Sequence, residues 1–88
     1  GEDAALVRAL QYARDHYAEP GGVVAMARAA RLSRRALETR CRAATGRTPA
    51  EELRRARLTA AERLLAETDL PVAAVADRCG YREPQRLT

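Results

Sequence analysis

The sequence predicts an all-α protein in which two helix-turn-helix subdomains are joined by one long linker helix. Three observations carry that prediction. Apolar residues recur at three- and four-residue intervals along almost every segment, and nowhere do they alternate as in a strand. A short apolar helix followed by a tight turn and a polar helix occurs twice. Between the two copies lies a single uninterrupted helical stretch, Thr48 to Thr68.

The first element is "DAALVRALQYARDHY", with Leu6, Leu10, Ala13 and Tyr17 on one stripe and Asp3 as its N-cap. Pro20, Gly21 and Gly22 then break the chain. "VVAMARAA" is a short apolar helix, and "RLS" a tight connection. "SRRALETRCRAAT" follows, with Ser33 as N-cap and Leu32 and Leu37 placed for a hydrophobic staple. Gly46 ends it. Thr48 and Glu51 form a capping box with Pro49 at the first helical position, opening the long helix. Its expected inner face is Leu53, Ala60 or Ala61, Leu64 and Leu65. After "DLP" come "VAAVADRC", a second tight turn at Gly80 and Tyr81, and the opening of one more helix in "EPQRLT". Met26, Ala27 and the run Ala30 to Leu32 correspond in this echo to Val75, Ala76 and the run Cys79 to Tyr81.

Composition narrows the function. The chain has 88 residues, enough for one domain, and it has no Phe, no Trp and three Tyr. A core must therefore be built from Ala, Leu and Val. All sixteen basic residues are Arg, and the net charge is +4. A GC-rich coding sequence accounts for abundant Arg and Ala but not for their placement. Cys41 and Cys79 form no C-x-x-C and read as two reduced, buried thiols. There is no signal peptide and no apolar run of transmembrane length. The chain does not begin with Met, so it is expected to derive from a longer protein.

The arginines concentrate. Between Arg28 and Arg47 there are seven Arg against one acid, Glu38; seven less one leaves +6, more than the whole chain carries. On a helix through Leu37, the residues Cys41 and Ala44 share its stripe, while Arg35, Glu38, Thr39 and Arg42 lie together on the other side. Arg suits guanine O6 and N7, Glu accepts from cytosine N4, and the Thr methyl fits a thymine methyl. The pattern points to a DNA major groove. It is equally the pattern of a solvated face on which Glu38 pairs with Arg34, Arg35 or Arg42. A long helix of some 20 residues would span about 30 Å, near the roughly 34 Å between successive major-groove faces. The alternative function is a helical protein-protein interaction module whose basic face meets an acidic partner. An enzyme is not expected: His16 is the sole histidine, and no nucleophile–base pair, metal-ligand cluster or phosphate-cradling Gly loop is visible. Neither a metal nor a cofactor is expected.

From about Leu6 to Thr88 the sequence resembles the DNA-binding domain of AraC/XylS-type transcription regulators. The resemblance rests on "SRRALETR", the "TGRTP" joint, "RL…A…LL…TDLP" and "VA…CGY". It implies a first subdomain over 3–46, a linker helix over 47–68 and a second subdomain over 69–88. It also implies sequence-specific binding of double-stranded DNA by a bacterial regulator, with a recognition helix of each subdomain in the major groove. Arg35, Glu38, Thr39, Gln85 and Arg86 match base-reading positions. Ser33, Arg34, Arg40, Arg42, Arg47 and Arg82 match phosphate contacts, which set register rather than sequence. The implied partners are double-stranded DNA, an absent N-terminal sensor domain and RNA polymerase, in the cytoplasm and with no membrane association. Three departures stand out. Arg31 occupies a turn position where Gly is usual, Cys41 stands where Phe is usual, and the family's closing Phe, Gly-x-x-Pro and Tyr-Arg segment is missing. The second subdomain is accordingly expected to be incomplete.

Overall fold

The computed structural model describes residues 3–81. Five helices are present among them: α1 (Ala4–Asp15), α2 (Gly22–Ala30), α3 (Arg34–Thr45), α4 (Pro49–Glu67) and α5 (Val72–Arg78). No strand occurs among the described residues.

Local chemistry sets most of the boundaries. The Asp3 carboxylate accepts from the Leu6 N–H at 3.1 Å and so caps α1. The Ser33 hydroxyl accepts from the Ala36 N–H at 3.0 Å at the start of α3. Gly46 ends α3 with φ 76°, a conformation that a side chain disfavours. At α4 the capping box is complete. Glu51 N–H donates to the Thr48 hydroxyl at 3.1 Å, and Thr48 N–H donates to the Glu51 carboxylate at 2.8 Å. The Thr48 N–H on the carboxylate is the main influence that holds the Glu51 carboxyl below the usual carboxylate range, and the Thr48 hydroxyl acts in the same direction.

The internal echo is a pair of matching helix ends. After α2 the Leu32 N–H reaches back to the Ala27 carbonyl at 2.9 Å; after α5 the Tyr81 N–H reaches the Ala76 carbonyl at 3.0 Å. Both are six-to-one bonds that reverse the chain around one left-handed residue. That residue is Gly80 in the second turn (φ 87°) but Arg31 in the first (φ 59°). Arg31 is the sole non-glycine with positive φ among the described residues. A side chain there strains the backbone by about 1–2 kcal/mol.

Two apolar clusters form the interior. Leu6, Ala9 and Ala13 of α1 meet Met26, Ala27 and Ala30 of α2, with Leu37 and Cys41 of α3 and Leu53 of α4 closing the first cluster. Ala60 and Ala61 of α4 with Val75 and Cys79 form the second. α4 thus contributes to both, packing against α1, α2 and α3 as well as α5. Leu65, expected inside, is 49% exposed. The second cluster covers the arc of Ala60, Ala61 and Leu64, and Leu65 lies about 100° further round the helix than Leu64. Ala44, expected on the inner stripe of α3, is exposed, and Thr45 is half-buried instead. The Thr45 hydroxyl donates to the Cys41 carbonyl at 2.8 Å and accepts from the Arg47 N–H at 3.0 Å, which draws that side of the helix toward the joint with α4.

Two substitutions test these ends. Arg31→Gly relieves the left-handed strain and should raise the unfolding free energy by about 1 kcal/mol after the entropy of an added glycine is set against it, read as a higher urea midpoint at unchanged slope. Because the Glu51 carboxyl is held low in the folded state, its contribution is present above the ordinary carboxylate range and is lost as pH falls through the folded value. Glu51→Gln should therefore lower stability at pH 7 and show a shallower decline between pH 5 and pH 3 than the parent chain in urea titrations.

Candidate nucleic-acid interface

α3 is a helix with one buried side and one open side. Leu37 and Cys41, both fully buried, seat it against α1, α2 and α4. Arg35, Thr39 and Arg42 are exposed, with Glu38 half-buried among them. Their spacing of 35, 38, 39 and 42 places all four on one face. Arg34 is exposed at the first turn beside them. Ser33 uses a lone pair for the cap, which leaves its own O–H to donate outward. The N-terminal end of a helix also carries unsatisfied N–H groups and a positive dipole end.

The ion pairs bear on how far this face pairs with itself. Among the described residues Glu38 makes no ion pair, and neither Arg34, Arg35 nor Arg42 has a carboxylate within ion-pair distance. The face is not a self-paired lattice of charges. It presents guanidinium groups whose planar, forked donors match carboxylate and phosphate oxygens or a guanine edge.

The other sequence-predicted residues divide into two groups. Arg40 Nη1 donates to the Asp3 carboxylate at 3.3 Å, so one aspartate both caps α1 and ties α3 to it. Arg47 Nε donates to the Glu52 carboxylate at 2.6 Å beside the joint between α3 and α4. These two guanidiniums are thus held in place on the flank of the open face. Arg82, Gln85 and Arg86 lie outside the described residues.

Cys41 supports the face from behind. Burial, the largest influence, pushes its thiol up; the Thr45 hydroxyl nearby acts in the opposite direction, while the Glu52 and Glu38 carboxylates reinforce burial. Both Cys41 and Cys79 are free and buried, in separate clusters. Among the described residues no group of His, Cys, Asp and Glu is arranged to hold a metal ion.

One basic surface is absent from the sequence-based expectations. Arg14 of α1 and Arg55, Thr59 and Arg63 of α4 line a cavity of about 270 Å³ together with Tyr17 and Glu52. The spacing of 55, 59 and 63 along one helix face was its available signal. The third arginine, Arg14 from α1, has no local signature.

A family model described as a helix-turn-helix domain, of the AraC type, matches residues 26–88. The chain belongs to the AraC-type helix-turn-helix family. It is 38% identical over 86 residues to the HTH-type transcriptional activator RhaS of Enterobacter sp. (strain 638), covering 98% of this chain and 31% of that protein. The RhaS of Salmonella arizonae shows the same identity and coverage. The chain therefore spans about a third of the length of these relatives. Among solved structures it is similar to the DNA-binding domain of AdpA, a global transcriptional factor, in complex with a target DNA. The TM-score is 0.82 at 37% identity, over 92% of this chain and 73% of that one.

The seating of α3 yields a chemical prediction. A maleimide should leave Cys41 and Cys79 unmodified in the native chain at pH 7.5 on a timescale of hours, and label both in denaturing urea. The slow residual modification in the absence of urea should scale with the small population of locally opened chain.

Proposed function

We propose that this chain is the DNA-binding part of a bacterial transcription regulator and that it binds double-stranded DNA sequence-specifically with α3 in the major groove. The observation that carries the reading is the open face of α3: Arg34, Arg35 and Arg42, none in an ion pair among the described residues, on a helix held by Leu37 and Cys41 behind a helix-turn-helix. The likeness to a DNA-binding domain solved with its target DNA supports it.

In this reading Arg35, Glu38 and Thr39 contact base edges, while Ser33, Arg34 and Arg42 meet phosphates, with Arg40 and Arg47 flanking them. Arg82 would touch phosphate, and Gln85 and Arg86 bases, in a second groove segment. α4, with 19 residues, is about 28 Å long and would hold the two reading helices near one helical turn apart. The corresponding division is a first subdomain over 3–46, a linker over 47–68 and a second subdomain over 69–88. A sensor domain elsewhere in the same protein and RNA polymerase are the proposed protein partners, and the cytoplasm the proposed place of action. Among the described residues no helix is long and apolar enough to cross a membrane. No catalytic role is proposed.

Selection of the chain on a randomised duplex pool at two salt concentrations tests this reading. Enriched sequence blocks are the expected result; salt-sensitive binding with no enriched sequence would overturn it, and no duplex binding at low salt would favour an acidic protein partner. Arg35→Ala should weaken binding to the selected site by about 1–3 kcal/mol and relax one base preference. Arg42→Ala should instead weaken binding to all sequences alike and make the salt slope shallower by about one unit.

A further inference from the structure

Two helix-turn-helix units on one rod are not yet two units in a fixed relation. α5 packs on no helix except α4 among the described elements. With that contact alone the second unit would be held along a single line, and small rotations about α4 would swing it around the axis. A second attachment exists, and it lies off that axis at Tyr17 and Ala18, just past the end of α1.

Three observations converge there. The half-buried Arg57 of α4 donates from Nε to the Tyr17 carbonyl at 2.7 Å, across 40 residues of sequence. This is a charge-assisted bond to a carbonyl near a helix C-terminus, where a cation is favoured. Gly80, the left-handed residue of the second turn, is buried against the same backbone. A Cβ on Gly80 would stand 2.7 Å from Ala18 Cα and 3.0 Å from the Tyr17 and Ala18 carbonyl oxygens. The Tyr17 side chain, finally, packs against both apolar clusters, the only residue common to the two among the described residues.

We propose that Arg57 and Gly80, by clamping the chain at Tyr17–Ala18, fix the rotation and separation of the two units and thereby set the spacing between the two stretches of DNA that the protein accepts. The inference rests on the DNA-binding function proposed above. Arg57 and Gly80 are positioning residues in it; neither touches DNA. The clamp explains why Gly80 must be glycine on two counts, φ and closeness, whereas the equivalent Arg31 is exposed and carries the strain of its φ.

The test has two arms on the same proteins: the parent chain, Arg57→Met, which keeps an aliphatic stem but no donor, and Gly80→Ala. In the first arm spin labels are placed by Ala29→Cys on α2 and Ala73→Cys on α5, both exposed, while the native cysteines are buried. The distance distribution should be narrow in the parent and broader in both variants. In the second arm each protein is selected on duplexes bearing two randomised blocks separated by variable spacers. The parent should prefer one spacer length. The variants should accept neighbouring lengths while enriching the same block sequences, with affinity at the best spacing reduced roughly 3–10-fold by the loss of preorganisation. Helical circular dichroism confirms folding, and Arg57→Met carries the test where Gly80→Ala fails to fold. An unchanged distance distribution in Arg57→Met overturns the clamp. A broadened distribution with an unchanged spacer preference overturns its role in spacing, as does a parent that enriches a single block. A parent that enriches no sequence overturns the DNA-binding reading itself, while the first arm still reports on the clamp.

Discussion

α1 and α2 meet through side chains with little to offer individually. Ala9, Ala13, Ala27 and Ala30 are all buried at this contact, joined by Leu6 and Met26. Each buried alanine removes little apolar area from water, so the area term is modest at about 25 cal/mol per Å². What small residues supply is proximity: interaxial distance follows the side chains at the contact, and near helices gain dispersion contacts along their whole length. Met26, flexible and fully buried, fills what remains. The rest of the protein is built on this platform. α3 is seated on it by Leu37 and Cys41, and α4 by Leu53. A chain without Phe or Trp lacks two of the bulkiest anchors with which to hold the open face of α3 at a distance, and so it holds that face close.

Much of this architecture was legible in the sequence because its determinants are local. Asp3, Ser33, Thr48 with Glu51, and Gly46 act within four residues of where they stand, and each terminates a helix where its chemistry requires. The left-handed Arg31 was legible by another route, through the resemblance, in which Gly is usual at that turn position. The inner faces were only partly legible. Periodicity finds an apolar arc but not which part of it a partner covers, so Leu65 and Ala44 were placed inside and lie outside. Leu65 and Leu64 are adjacent leucines, and only the position of the second cluster tells them apart.

The open face of α3 was legible as a set of residues but not as an electrostatic state. Arg34, Arg35, Glu38 and Arg42 are spaced as well for mutual pairing as for an anionic ligand, and the sequence is the same in either case. The difference lies in side-chain geometry. Ion pairs form at Asp3–Arg40 and Glu52–Arg47, on the flanks, and spare the middle. The Asp3–Arg40 pair joins residues 37 apart, and the Arg57–Tyr17 bond residues 40 apart. No local rule reaches across such separations.

The guanidiniums of α3 that form no ion pair among the described residues have a consequence for how such a surface is turned off. A guanidinium does not lose its proton in the physiological range, whereas a lysine amine can be neutralised by acetylation. This sequence contains no lysine at all. Methylation of arginine would block forked hydrogen bonding yet leave the charge in place. The positive charge of these guanidiniums is therefore constant across the physiological pH range and untouched by the acyl-transfer chemistry that neutralises lysines. Control has to come from outside that charge: from the ionic strength around it, from something that covers it, or from a change in where its helix is pointed.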